Sequence, residues 1–187
     1  MEIMDTEPDI QDAKDAVELT NVKGDITFEN VAFRYEGTLG DVFKNISLDV
    51  EAGDYMALVG SSGVGKTTLC SLIPRFYDAT SGEIRLNGVD IRAYSEEEIR
   101  KKVGIVMQKA VLFKGTIREN LRWGKPDATD EEMMRAIDIA QASEIVEGKE
   151  GGLDFMIEQG GKNLSGGQRQ RLGIARTLVA NPEILIF

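Results

Sequence analysis

Eight consecutive residues, Gly60-Ser61-Ser62-Gly63-Val64-Gly65-Lys66-Thr67, fit the pattern G-x-x-x-x-G-K-[ST], whose chemistry is the holding of phosphate groups. Glycines in such a loop admit backbone torsions that aim successive N–H groups at phosphate oxygens. A helix that starts where the loop ends adds the partial positive charge of its N-terminus. Lys66 would then bridge β and γ phosphates, the Thr67 hydroxyl would bind Mg²⁺, and Thr68 can add a phosphate contact. The alternative is a glycine turn that merely caps a helix, with Lys66 in solvent. The flanks favour phosphate: Tyr55 to Val59 is a short apolar run suited to a strand buried on both faces, and Thr67 to Phe76 has helical spacing through Leu69, Leu72 and Ile73, ended by Pro74.

A second glycine motif, Leu164-Ser165-Gly166-Gly167-Gln168, places Ser165 99 residues beyond Lys66. Ser165 and Gln168 have the spacing of a helix capping box, which accounts for the serine and the glutamine only. Each glycine in a first helical turn costs about 1 kcal/mol relative to alanine. Close approach of a ligand to bare backbone N–H groups is the benefit that offsets this.

Around these motifs the hydrophobic pattern alternates between strand and helix. Ile26 and Phe28 alternate in one phase and Val31, Phe33 and Tyr35 in the other, which predicts a strand with a bulge near Glu29 and Asn30. Further strands are expected at Ile46 to Val50, Glu83 to Leu86, Val103 to Met107 and Ile184 to Phe187. Helices are expected from Ser95 to about Lys101, from Thr116 to Leu121, after the Thr129–Glu132 capping box, and from about Gly166 to Ala180. Met133 belongs to an apolar face with Ala136, Ile137 and Ala140, and methionine there is core filler. A weak helical pattern also runs from Asp12 to Leu19.

With 187 residues, 42% of them apolar and 29% charged, the chain suits one domain with a real core. The formal charge is −10, and more than half of it lies in the first 20 residues, where seven acids face Lys14 alone. The remaining body lacks the basic face that nucleic acid requires, so nucleic acid is not expected as a partner. Cys70 is the single cysteine, which excludes an intrachain disulfide, and its apolar neighbours predict a buried, inert thiol. No apolar run reaches the roughly 18 to 20 residues that span a bilayer. Any tie to a membrane must run through a partner or another segment.

The two glycine motifs together resemble the nucleotide-binding domain of ATP-binding cassette (ABC) transporters, for which LSGGQ is the signature. The resemblance covers about residues 24 to 187, and LFKGTIRENLRWG with IEQGGKNLSGGQRQR points to the exporter branch, particularly bacterial multidrug and lipid exporters. It implies an α/β fold: a P-loop NTPase core with an antiparallel β subdomain and an α-helical signature subdomain at about 109 to 180. Residues 1 to 23 would be an acidic linker or tail from the last transmembrane helix. The implied function is ATP binding and hydrolysis that powers export, at the cytoplasmic face of the cell membrane through a membrane domain absent from this chain.

The same resemblance assigns residues. Tyr35, alone readable as a sheet residue, would stack on adenine. Gln108, alone a turn glutamine, would reach Mg²⁺ and the attacking water, acting with Lys66 in catalysis. Gly60, Ser61, Ser62, Gly63, Val64, Gly65, Lys66, Thr67 and Thr68 would hold the phosphates. Ser165, Gly166, Gly167 and Gln168 would meet the γ-phosphate of ATP held by a second nucleotide-binding domain, head to tail. Glu158 to Gly161 and part of Ala110 to Asn120 would lie near intracellular loops of the membrane domain. In the family, the strand that begins at Ile184 ends in an aspartate that supports Mg²⁺, followed by a carboxylate that polarises water, and a histidine lies further on. The chain stops before both carboxylates and has no histidine, so residues 1 to 187 alone are expected not to turn over. A soluble cassette ATPase of repair, translation or cluster assembly, and a nucleotide-gated module without hydrolysis, are the competing functions.

Overall fold

The structure is a computed structural model that describes residues 10–13, 15–19 and 23–187. It divides into two compact units, one running to Val103 and one spanning Gly104–Phe187.

The first unit is built on an antiparallel sheet of β1 (Ile26–Phe33), β2 (Phe43–Val50), β3 (Ser81–Leu86) and β4 (Val89–Asp90), in the order β2-β1-β3-β4. Alternation sets its register: Phe28 lies opposite Leu48 on one side and Ile84 on the other. The expected bulge is present. Pairing slips between Phe28 and Val31 against β2 and between Glu29 and Ala32 against β3, with Asn30 at φ 48°. Opposite it, a Cβ on Gly82 (φ 81°) would stand 2.5 Å from the Asn30 carbonyl oxygen, so only glycine fits against the bulged backbone. Phe28, Val31, Phe33, Ile84 and Leu86 are buried, as is Leu72 of helix α1 (Lys66–Leu72). Helix α2 (Glu96–Lys102) starts at Ser95, whose hydroxyl accepts from the Glu98 N–H at 3.2 Å.

The second unit holds the end of β5 (Val103–Ile105), the small β6–β7 pair (Gly115–Thr116 with Met156–Ile157), helices α3 (Ile117–Arg122), α4 (Asp130–Ile139), α5 (Ser143–Glu147) and α6 (Gly166–Leu178), and β8 (Ile184–Ile186). Its core is one cluster in which Ile117, Leu121, Met133, Ile137, Ile145, Ile157 and Leu172 are fully or almost fully buried. Three of its helices open on complete capping boxes: Thr116 with Glu119, Thr129 with Glu132, and Ser165 with Gln168. The second and third were expected, and the first was as readable from its T-x-x-E spacing. β5 pairs with β8, and Val106 N donates to the Ile186 carbonyl at 2.8 Å.

Three expectations are corrected. Tyr55 to Val59 forms no strand and is exposed throughout, with Tyr55 and Val59 almost wholly so. An apolar run becomes a strand only when another strand satisfies its N–H and C=O groups, and none of the described strands pairs with it. The phosphate-loop helix stops at Leu72 rather than Phe76, because Pro74 cannot continue the ladder and Arg75 takes φ 57°. Among the described residues from Asp12 to Leu19 there is no helix, and Val17 instead bridges in parallel to Tyr94.

Candidate functional site

The loop from Gly60 to Gly65 takes the torsions its glycines permit. Gly63 and Gly65 have φ 80° and 98°, and Gly65 is the left-handed N-cap from which α1 departs. A Cβ at Gly65 would stand 2.7 Å from Val42 Cγ1 and 3.1 Å from Phe43 Cδ1, so glycine is demanded there by both torsion and space. No side chain caps α1, which leaves its first N–H groups available to a ligand. Lys66 Nζ curls over the loop and donates to the carbonyls of Gly60 and Ser61, each at 2.8 Å. An ammonium has three donors, so one remains to be directed at an anion. Thr67 is exposed, while Thr68 is buried.

Tyr35 lies just beyond β1 and is brought to this loop by a hydrogen bond, its hydroxyl 2.9 Å from Thr68 Oγ1. Its ring packs edge to face with Phe33 (4.8 Å between centroids) and with Tyr77 (5.3 Å). The aromatic trio holds the Tyr35 ring beside the phosphate-loop helix with about a third of its surface free. Cys70, on α1, is half-buried rather than fully buried. Burial pushes its thiol above the ordinary value, which keeps it protonated and unreactive.

In the second unit Gln108 stands exposed three residues past the end of β5. The signature residues open α6: Ser165 Oγ accepts from Gln168 N–H at 3.2 Å, and Gln168 Oε1 accepts from Ser165 N–H at 3.0 Å. Both Gly166 and Gly167 are exposed, with ordinary helical torsions, and a Cβ at either would meet nothing nearer than 3.8 Å. Neither glycine is required by the fold around it. Two anchoring residues were not visible in the sequence. Buried Asn120 bonds Phe113 N (2.8 Å), Phe113 O (2.9 Å) and Thr116 O (3.0 Å), fixing the segment before α3. Arg169 donates from Nη1 to Gly161 O (3.2 Å) and Leu164 O (2.7 Å), tying the loop at Glu158 to Gly161 to the signature helix.

An antiparallel β unit that carries a glycine loop and its helix, and a helical unit whose α6 is opened by Ser165, are the parts of a P-loop NTPase core with its β and signature subdomains. A sequence profile described as ABC transporter matches residues 43–187. The chain is 45% identical to the uncharacterized ABC transporter ATP-binding protein YwjA of Bacillus subtilis (strain 168) over 187 residues, 100% of this chain and 32% of that protein. It is 44% identical to the ATP-dependent lipid A-core flippase of Syntrophus aciditrophicus (strain SB) over 99% of this chain and 30% of that protein. A solved structure of a bacterial Atm1-family ABC exporter with ATP bound superposes with a TM-score of 0.93 at 37% identity, over 98% of this chain and 32% of that one. The chain belongs to the ABC transporter family, and it spans about a third of the length of these relatives. Among the described residues no helix is long and apolar enough to cross a membrane.

Proposed function

We propose that this chain belongs to the ATP-binding and ATP-hydrolysing domain that powers transmembrane export by an ABC transporter. The observation that carries the proposal is the loop at Gly60 to Lys66, whose left-handed glycines lead into an uncapped helix start beneath an ammonium group. These groups are complementary to a triphosphate: N–H donors for its oxygens, Lys66 for the β and γ charge, and the exposed Thr67 hydroxyl beside them. Tyr35 offers an aromatic surface for adenine at the same helix.

Thr67 and Gln108 have the oxygen donors that suit Mg²⁺. Mg²⁺ supplies neutralisation of charge on the phosphoryl oxygens. Lys66 holds the phosphates in place, and Gln108 has the hydrogen-bonding groups to orient a water. The polypeptide partners are a second nucleotide-binding domain, engaged head to tail through Ser165 to Gln168, and an exporter's membrane domain, which sets the site at the cytoplasmic face of the cell membrane. Two lipid A-core flippases and a B-family ABC transporter among the relatives support the export branch.

Titration of a fluorescent ATP analogue tests the pocket. Lys66→Ala removes a charge-assisted hydrogen bond, so affinity should fall about tenfold or more. Tyr35→Ala should also weaken binding, through loss of stacking. Unchanged affinity in both variants overturns the assignment.

A further inference from the structure

Arg75 is a buried charge, 3% exposed, placed at the foot of the phosphate-loop helix. Its backbone N–H bonds the Leu72 carbonyl at 3.1 Å, so it is joined directly to the last turn of α1. Its guanidinium reaches three separate pieces of chain. Nε and Nη2 donate to the two carboxylate oxygens of Asp78 at 2.9 and 3.3 Å. Nη1 donates to the Tyr94 carbonyl at 3.3 Å, in the connector before α2, and Nη2 also donates to the Gln11 carbonyl at 3.2 Å.

Gln11 lies in the acidic N-terminal stretch, and that stretch is laid on the same connector. Asp12 Oδ1 is 4.0 Å from Arg75 Nη1 and accepts from the Glu96 N–H at 2.8 Å, while Val17 N donates to Ala93 O at 2.8 Å. Neutralising Arg75 requires Asp78 alone. The bonds to Tyr94 and Gln11 do something else: they fasten a helix end, a connector and the N-terminal stretch to one rigid fork, a geometry that the point charge of a lysine cannot reproduce.

We propose that Arg75 is a positioning residue through which the N-terminal residues 10–13 and 15–19 and the phosphate-loop helix move together. Nucleotide on the loop is then felt at the stretch, and displacement of the stretch is felt at Lys66, because coupling between two sites is reciprocal. The proposal rests on the reading of residues 60 to 68 as the ATP site.

The test uses the full natural polypeptide in lipid nanodiscs, cysteine-free through Cys70→Ser and like changes, with a spin label at Ala16→Cys. In this parent, MgATP should change the label's mobility. Arg75→Gln should abolish that response and change the affinity for a fluorescent ATP analogue by about fivefold, the reciprocal of the coupling it removes. Arg75→Lys keeps the charge without the fork and should not rescue the response. Asp12→Ala removes the bond to Glu96 N–H and the longer of the arginine's two ion pairs while Asp78 still neutralises Arg75, and should also lose the response, so it carries the test if Arg75→Gln does not fold. A label that responds in both variants as in the parent, or that never responds in a parent that binds the analogue, overturns the coupling. A parent that does not bind the analogue overturns the ATP site itself, and the coupling with it.

Discussion

At the scale of single residues, the loop separates two kinds of glycine. Gly63 takes φ 80° with open space around its Cβ position, whereas Gly65 takes φ 98° against Val42 and Phe43. Gly63→Ala therefore meets only the torsional penalty of a left-handed alanine, about 1 to 2 kcal/mol. Gly65→Ala adds a clash with the sheet edge, about 1 to 3 kcal/mol more. Thermal denaturation should show the larger loss of stability for Gly65→Ala, and an equal loss would mean that Val42 and Phe43 yield freely. Lys66, Thr67 and the glycines were legible because their chemistry is written into consecutive positions. The bond from Tyr35 to Thr68, the three bonds of Asn120 and the fork of Arg75 were not, since each joins backbone or side chains without a period or a motif to mark it. Of these residues only Thr68 and Tyr35 were singled out, Thr68 as the position following the phosphate loop and Tyr35 from family resemblance, and neither for the bond that joins them.

At the scale of elements, local chemistry and outcome agree where a helix is started by its own residues and disagree where an element depends on others. The Thr129–Glu132 box was readable because both partners lie within one turn. Its Thr129 hydroxyl accepts from Glu132 N–H at 3.2 Å and Glu132 Oε2 accepts from Thr129 N–H at 3.0 Å. Thr129→Ala should cost about 1 kcal/mol of stability, read from denaturant unfolding. Glu132 also carries a pH signature. A hydrogen bond from Lys125, and then one from the Thr129 backbone, hold its carboxyl below the ordinary value of 4.5. A depressed folded value means that its contribution is complete above the ordinary value and lost as pH falls through the folded one. The difference in melting temperature between parent and Glu132→Gln should therefore be full above the ordinary value of 4.5 and shrink as pH falls below it; a difference that holds constant would remove the carboxylate from the account. Tyr55 to Val59 is the opposite case. Five apolar residues read as a buried strand, but burial on two faces is a property of neighbours, and a periodicity argument supplies none.

For the whole molecule, the signature helix poses a question that neither unit answers internally. Gly166 and Gly167 have helical torsions and room for a side chain, so alanine at both positions would raise helix propensity by about 1 kcal/mol each. A feature that weakens its own helix and is not needed by its packing has its use outside the chain, in a body that approaches bare backbone. The exposed residues agree with a molecule that presents surfaces to others: Tyr55, Val59 and Trp123 are each more than two thirds exposed. The approaching body, on the proposed function, is ATP held by a second nucleotide-binding domain. Gly166→Asp in the full natural polypeptide places a carboxylate where a γ-phosphate would arrive, and like charges at that distance repel. ATP-driven pairing of the domains, followed by size-exclusion or cross-linking, should be lost while nucleotide binding to each domain survives. Gly166→Ala, which adds a methyl group without charge, should retain a measurable part of the pairing. Equal loss of pairing and of nucleotide binding in Gly166→Asp would place the glycine in its own domain's folding, and pairing that withstands the aspartate would remove the signature from the interface.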